Sequence, residues 1–251
     1  MRIPLAPPAL ILALLVAGPV QSQTPEPARL VPGHRFFDAR TLDLTPLPAP
    51  PAVGTLAAQA DLETILQLQA WRTAEEVAWA RKTDRLNYFD VAEVLGPWFT
   101  PSNLPVCAKL LQEALGDGES ANHAAKLQYR RLRPPIQDKR VQPCVTPPQE
   151  QKGGVLDPGY FSYPSGHATA VFITAHVLAD LMPARREALF TWARKNAWGR
   201  MLAGVHFPSD NLGGQILARI VHDAFLKNPD YARALEACRA ELRAKAPAGG
   251  Q

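Results

Sequence analysis

The sequence predicts an all-α fold, a single-domain helical bundle behind an extended Pro-rich N-terminal arm. Three observations predict it. Apolar residues recur at helical spacing in successive stretches from residue 55 to residue 245, each with its own start and stop chemistry. No stretch keeps a period-two alternation between hairpin turns, so strands are not expected. Of the 251 residues, 47% are hydrophobic and 20% charged, which suffices for one sizeable core.

The N-terminus reads as an export signal over residues 1–22. Met1-Arg2 is a short positive start, Ala9 to Ala17 an apolar core, and Val20-Gln21-Ser22 a small-residue cleavage site. The apolar run is too short to cross a bilayer, and Pro7-Pro8 and Pro19 interrupt it. No later run approaches ~18 apolar residues. The expected product is exported to the periplasm and has no membrane span. Residues 23–54 hold seven of the 25 prolines and read as an extended arm outside the core.

The helical domain spans 55–245. Leu62, Ile65, Leu66 and Leu68 lead to Trp71 in its first helix. Thr73-Ala74-Glu75-Glu76 is a capping box that restarts one through Val77 and Trp79. A short helix covers Phe89 to Leu95. Another opens at Pro101-Ser102-Asn103, carries Leu110 and Leu111, and ends at Gly116-Asp117-Gly118. The next begins near Ser120, carries His123 and Lys126, and stops at Pro134-Pro135. A Pro-rich loop leads to Ser165, where a helix runs to about Leu181. Pro183 opens a helix that Gly204 ends, Pro208 opens one through Phe225, and Tyr231 to Lys245 is the last. Residues 246–251 form a disordered tail.

The formal charge of +4 is mild and its cations are dispersed, which argues against a nucleic-acid scaffold. Three cysteines permit one disulfide in an oxidising compartment. Cys107–Cys144 would tie the region before the Lys126 helix to the following loop, although spacing alone does not fix connectivity. With no CxxC and no paired Cys/His spacing, a structural zinc site is not expected.

Three groups of residues carry chemistry. Pro164-Ser165-Gly166-His167 sits at a helix start, where unpaired N–H groups and the helix dipole favour an anion; the plain alternative is a Ser N-cap. Lys126 and Arg133 are seven apart and on one helix would share a face; the alternative is a solvated basic helix end with Arg130 and Arg131. His206 and Asp210 are four apart, within reach at a helix start, so the carboxylate can fix one ring nitrogen and leave the other reactive.

Taken together, Lys126-x6-Arg133-Pro134, Pro164-Ser165-Gly166-His167 and Gly199-Arg200-x5-His206-x3-Asp210 resemble the three-part signature of the type 2 phosphatidic acid phosphatase superfamily. The export signal and Pro-rich arm are most similar to its bacterial class A non-specific acid phosphatases. One position departs: Gly199 stands where the family usually has Ser. The resemblance implies hydrolysis of phosphate monoesters to inorganic phosphate, with no cofactor and no metal. His206 would be the nucleophile, Asp210 its orienting partner and His167 the acid–base group. Lys126, Arg133, Ser165, Gly166 and Arg200 would bind phosphate. It also allows phosphate transfer to alcohols and a homo-oligomer. A carboxylate and a phosphate nearby would keep the histidines protonated and favour an acidic optimum. Lipid phosphate or lipid-pyrophosphate hydrolysis, vanadium-dependent haloperoxidase chemistry and non-catalytic phosphate binding are the alternatives.

Overall fold

The helix that opens at Gly166 is the one the others surround. In the computed structural model, which describes residues 35–85, 87–152 and 154–247, the helices are α1 (Leu56–Trp71), α2 (Ala74–Lys82), α3 (Ala92–Leu95), α4 (Pro105–Tyr129), α5 (Pro134–Gln137), α6 (Gly166–Leu181), α7 (Arg186–Leu202), α8 (Pro208–Phe225) and α9 (Pro229–Lys245). Helix α6 is apolar nearly all round, and so it is buried along its length against α4, α7 and α8. Val171, Phe172, Ile173 and Leu178 fill the centre of the core. Among the described residues the only strands are a two-residue antiparallel pair, Gln151–Lys152 with Val155–Leu156. The fold is all-α, as expected. The capping box at Thr73 and Glu76 is present. No described helix is long and apolar enough to cross a membrane. The export signal, the first part of the arm and the end of the tail lie outside the described residues.

Four expectations need correction. Helix α4 does not stop at Gly116-Asp117-Gly118; it runs through to Tyr129. Asp117 is fully buried, and its carboxylate accepts the Arg35 and Phe36 amides at 2.8 and 2.7 Å. Gly118 lets α6 approach closely: a Cβ there would stand 2.3 Å from Ile173 Cδ1. Tertiary contacts thus use the two residue types that read as a stop.

The arm is not wholly outside the core. Phe36 and Leu47 are buried, and Phe36 packs edge-on against Phe225 and Tyr231. Tyr129 donates its hydroxyl to the Leu47 carbonyl at 2.9 Å, and Tyr163 donates to that of Pro48.

The disulfide joins Cys107 to Cys238, 131 residues apart, and Cys144 is free. Helix α9 folds back onto the start of α4, where Glu241 accepts the Val106 and Cys107 amides. That contact caps α4 at Pro105, beyond the Pro101 start read from sequence.

Candidate active site

A cleft of about 800 Å³ is walled by the second half of α4, the turn after α2, Arg133, the loop at Thr146 to Gly159, the start of α6, the end of α7, and the turn at Val205 and His206 that leads into α8. Ser165 is the N-cap of α6; its Oγ accepts the Ala168 amide at 3.3 Å. That bond uses a lone pair and leaves the hydroxyl proton free to donate. The Gly166 and His167 amides open the helix and have no carbonyl within it to bond. The Ser165 amide donates to the Asp210 carbonyl at 2.9 Å, which locks the start of α6 to the start of α8.

Lys126 and Arg133 reach the cleft, but not along one helix face. Helix α4 stops at Arg130, which takes the left-handed conformation (φ 47°), and Arg133 caps the separate short α5. A turn, not helical periodicity, brings the two cations together. Lys126 donates to the Phe161 carbonyl. Arg133 donates to the carbonyls of Gly159 (2.7 Å) and Val205 (2.9 Å). Its Nη1 also lies 3.2 Å from His206 Nε2. Arginine can only donate, so Nε2 is the acceptor and carries the lone pair.

The other ring nitrogen, Nδ1, faces Asp210 Oδ2 at 3.4 Å. The same oxygen accepts the Phe207 amide at 2.8 Å, so the carboxylate is held at the N-terminus of α8. Residues 206 and 210 do pair across the first turn of a helix, and His206 presents an unprotonated Nε2 to Arg133.

Arg200, in the last turn of α7, is 5% exposed. Its Nε has no hydrogen-bond partner, and its Nη1 lies 3.0 Å from Asp84 Oδ1 without aligning as a hydrogen bond. Buried guanidinium donors left unspent are costly, and a tetrahedral oxyanion in the cleft would satisfy them. His167 Nε2 pairs with the Asp84 carbonyl at 2.8 Å. Asp84, Arg131 and Asp61 have no signal in the sequence. Arg131 in particular looks the same as Arg130, yet it is buried and bonded to Asp210. Only the turn at Arg130 decides which of the two enters the core.

Gly199 precedes Arg200 on α7 and faces α2. A Cβ there would come within 2.9 Å of Trp79 Cζ3 and 3.4 Å of Thr83 Oγ1. The position that would hold a serine in the resembling family is filled here by the Trp79 indole.

The electrostatics follow from this crowding. Burial, then Arg200, pushes His167 down to about 3. Burial, then Arg133, Lys126 and Arg200, holds His206 well below the usual histidine range. Without a phosphate in the cleft, burial and the cations therefore keep both imidazoles neutral; the protonated histidines expected from sequence depended on a bound phosphate as well as a carboxylate. Neutral His206 is the form that can act as a nucleophile. Lys126 is pushed down by burial and by Arg133, and Arg133 is lowered to about 10. Burial raises Asp210, with Arg131 the largest opposing influence.

The geometry finds company among known sequences. Residues 107–233 match the sequence model of the PAP2 superfamily. The chain is 28% identical over 203 residues to a non-specific acid phosphatase of Providencia stuartii, covering 78% of this chain and 79% of that one. It is 27% identical over 240 residues to an acid phosphatase of Zymomonas mobilis, covering 93% and 88%. A transmembrane PAP2-type phosphatidylglycerolphosphate phosphatase of Bacillus subtilis, of known structure, is 18% identical with a TM-score of 0.44, over 70% of this chain and 87% of that one.

Proposed function

The chain belongs to the PAP2 superfamily, and within it we propose that the protein is an exported acid phosphatase acting on soluble phosphate monoesters through a phosphohistidine intermediate. The observation that carries the reading is a cleft lined by His206 and three buried cations, with Arg133 on the unprotonated Nε2 of His206 and Arg200 donors still unspent. The acid phosphatase names of the Providencia and Zymomonas relatives agree with it.

The phosphate dianion sits between Lys126, Arg133 and Arg200, with Ser165 and the Gly166 amide at its remaining oxygens. His206 Nε2 attacks phosphorus in line with the ester oxygen. The P–O bond to the leaving group breaks as the N–P bond forms, and Asp210 stabilises the positive charge on the ring. His167 gives its proton to the departing alkoxide, then takes one from the water that cleaves the N–P bond. The dianion itself supplies the field that raises His167 into its protonated form, against the cations that lower it. The three cations hold the transition-state charge, so catalysis requires no metal ion, and EDTA should leave the rate unchanged. Export to the periplasm rests on the stretch over residues 1–22.

The test is phosphate release from an aryl phosphate. The wild type should turn over and be inhibited competitively by vanadate, and acid-labile phosphate should be trapped on the protein during turnover. His206→Ala should abolish both turnover and trapping. Full activity in that variant ends the nucleophile assignment. A parallel series of nucleotide, sugar and lipid phosphates separates soluble esters from lipids as the substrate class.

A further inference from the structure

We propose that Arg131 is a positioning residue of the catalytic centre, holding the Asp210 carboxylate ionised and aimed at His206 through a buried Asp61–Arg131–Asp210 chain. The proposal rests on the phosphohistidine reading above. Arg131 Nη1 donates to Asp210 Oδ1 at 2.7 Å and to Ser209 Oγ at 2.6 Å. Its Nη2 donates to Asp61 Oδ2 at 2.7 Å. All three charged side chains are under a tenth exposed. The guanidinium lies 4.1 Å from the centre of the Phe207 ring, and the Arg131 carbonyl accepts the Ser162 amide at 2.8 Å. Asp61 also accepts from Ser209, through the amide at 3.2 Å and through the hydroxyl. The guanidinium is therefore fixed by α1 and by α8, and the Arg131 backbone by the turn before α6.

The division of labour at Asp210 gives the chain its meaning. Oδ1 is taken by Arg131, and Oδ2 by the Phe207 amide and His206 Nδ1. A carboxylate this deeply buried would take up a proton unless a cation touched it. Arginine suits that duty, because it does not lose its proton and its fork fixes direction as well as charge. Arg131 is absent from the lining of the cleft and bonds Oδ1, the Asp210 oxygen that His206 does not face. Asp61 offsets the buried Arg131 charge and holds the second arm of the fork. The remaining charged or titratable groups facing Asp210 are Lys126 and Arg133 across the cleft, His206 beside it and Tyr163 ahead of α6.

The experiment uses the whole protein and an aryl phosphate. Arg131→Met should lower kcat about 10- to 100-fold, the usual cost of losing an outer partner of a reacting group, with a much smaller change in KM. The acid limb of the kcat profile should move to higher pH, since an Asp210 that has lost its cation protonates sooner as pH falls. Arg131→Lys, which keeps the charge and loses the fork, should recover part of kcat and most of the acid limb. Introduced into Asp210→Asn, Arg131→Met should cost little more, because its only target is gone. If Arg131→Met does not fold, Asp61→Asn/Arg131→Met removes the buried cation with one of its counter-charges and is read in the same assay. Unchanged kcat and pH profile, or losses that multiply independently in the Asp210→Asn background, would overturn the proposal and leave the phosphohistidine reading standing. No turnover by the wild type would end that reading and this proposal together.

Discussion

His167 should make the protein acid-labile, and the size of the effect follows from its surroundings. Its folded-state pKa of about 3 lies well below the 6.5 of an unperturbed histidine. As pH falls below about 6.5 the unfolded chain takes up a proton that the folded chain refuses, so folding loses free energy. The stabilisation is full above pH 6.5 and declines toward pH 3. Between pH 7 and pH 5 the loss assigned to this one residue is about 2 kcal/mol. His176, held at about 4 by burial and by His222, adds a similar slope elsewhere in the molecule, so wild type alone does not isolate the effect. The comparison is with His167→Asn, whose amide can still donate to the Asp84 carbonyl. Urea denaturation at pH 7 and pH 5 should show wild type losing about 2 kcal/mol more than the variant. Millimolar inorganic phosphate should shrink the difference, since a bound dianion raises the His167 pKa. Equal losses in wild type and His167→Asn would refute the reasoning, because they would mean that the imidazole is already free to protonate in the folded state.

Other outcomes follow from the same contacts. Gly199→Ser should destabilise by about 1 to 3 kcal/mol through overpacking against Trp79, and Gly199→Ser/Trp79→Ala should show no such strain relative to Trp79→Ala; additive losses in a thermal-melting cycle would contradict this. Reduction of the Cys107–Cys238 bond, or Cys238→Ser, should cost about 2 to 5 kcal/mol, because the bond closes a loop of 131 residues; Cys144→Ser should leave the melting curve unchanged. Tyr163→Phe, which removes the donor to the Pro48 carbonyl, should cost about 1 kcal/mol and increase proteolytic nicking of the arm; equal nicking in both proteins would detach the arm from that contact.

Much of the architecture was legible because helices are written locally. Ser165 as a cap, the box at Thr73 and Glu76, the proline that opens α8 and the apolar spacing of α6 depend on neighbours within a few residues. The pairing of His206 with Asp210 belongs to the same class, since one helical turn brings them together. By order and spacing the three motifs pointed to Lys126, Arg133, Gly166, His167, Arg200 and His206, which line the cleft, while Ser165 and Asp210 sit behind its wall.

The misreadings all involve partners far along the chain. Gly116-Asp117-Gly118 reads as a stop until Arg35, Phe36 and Ile173 give that stretch of helix its packing. Cys107 has two candidate partners in sequence, and only the return of α9 onto α4 selects Cys238. Lys126 and Arg133 meet through a left-handed turn that no spacing rule contains. The buried Arg131 has the same origin. By itself the sequence determined the helices and the chemical groups at their ends, because hydrogen bonding and apolar periodicity are short-range. Tertiary structure alone decided protonation and partnership, because desolvation and charge–charge energies depend on what every other segment brings within a few ångströms.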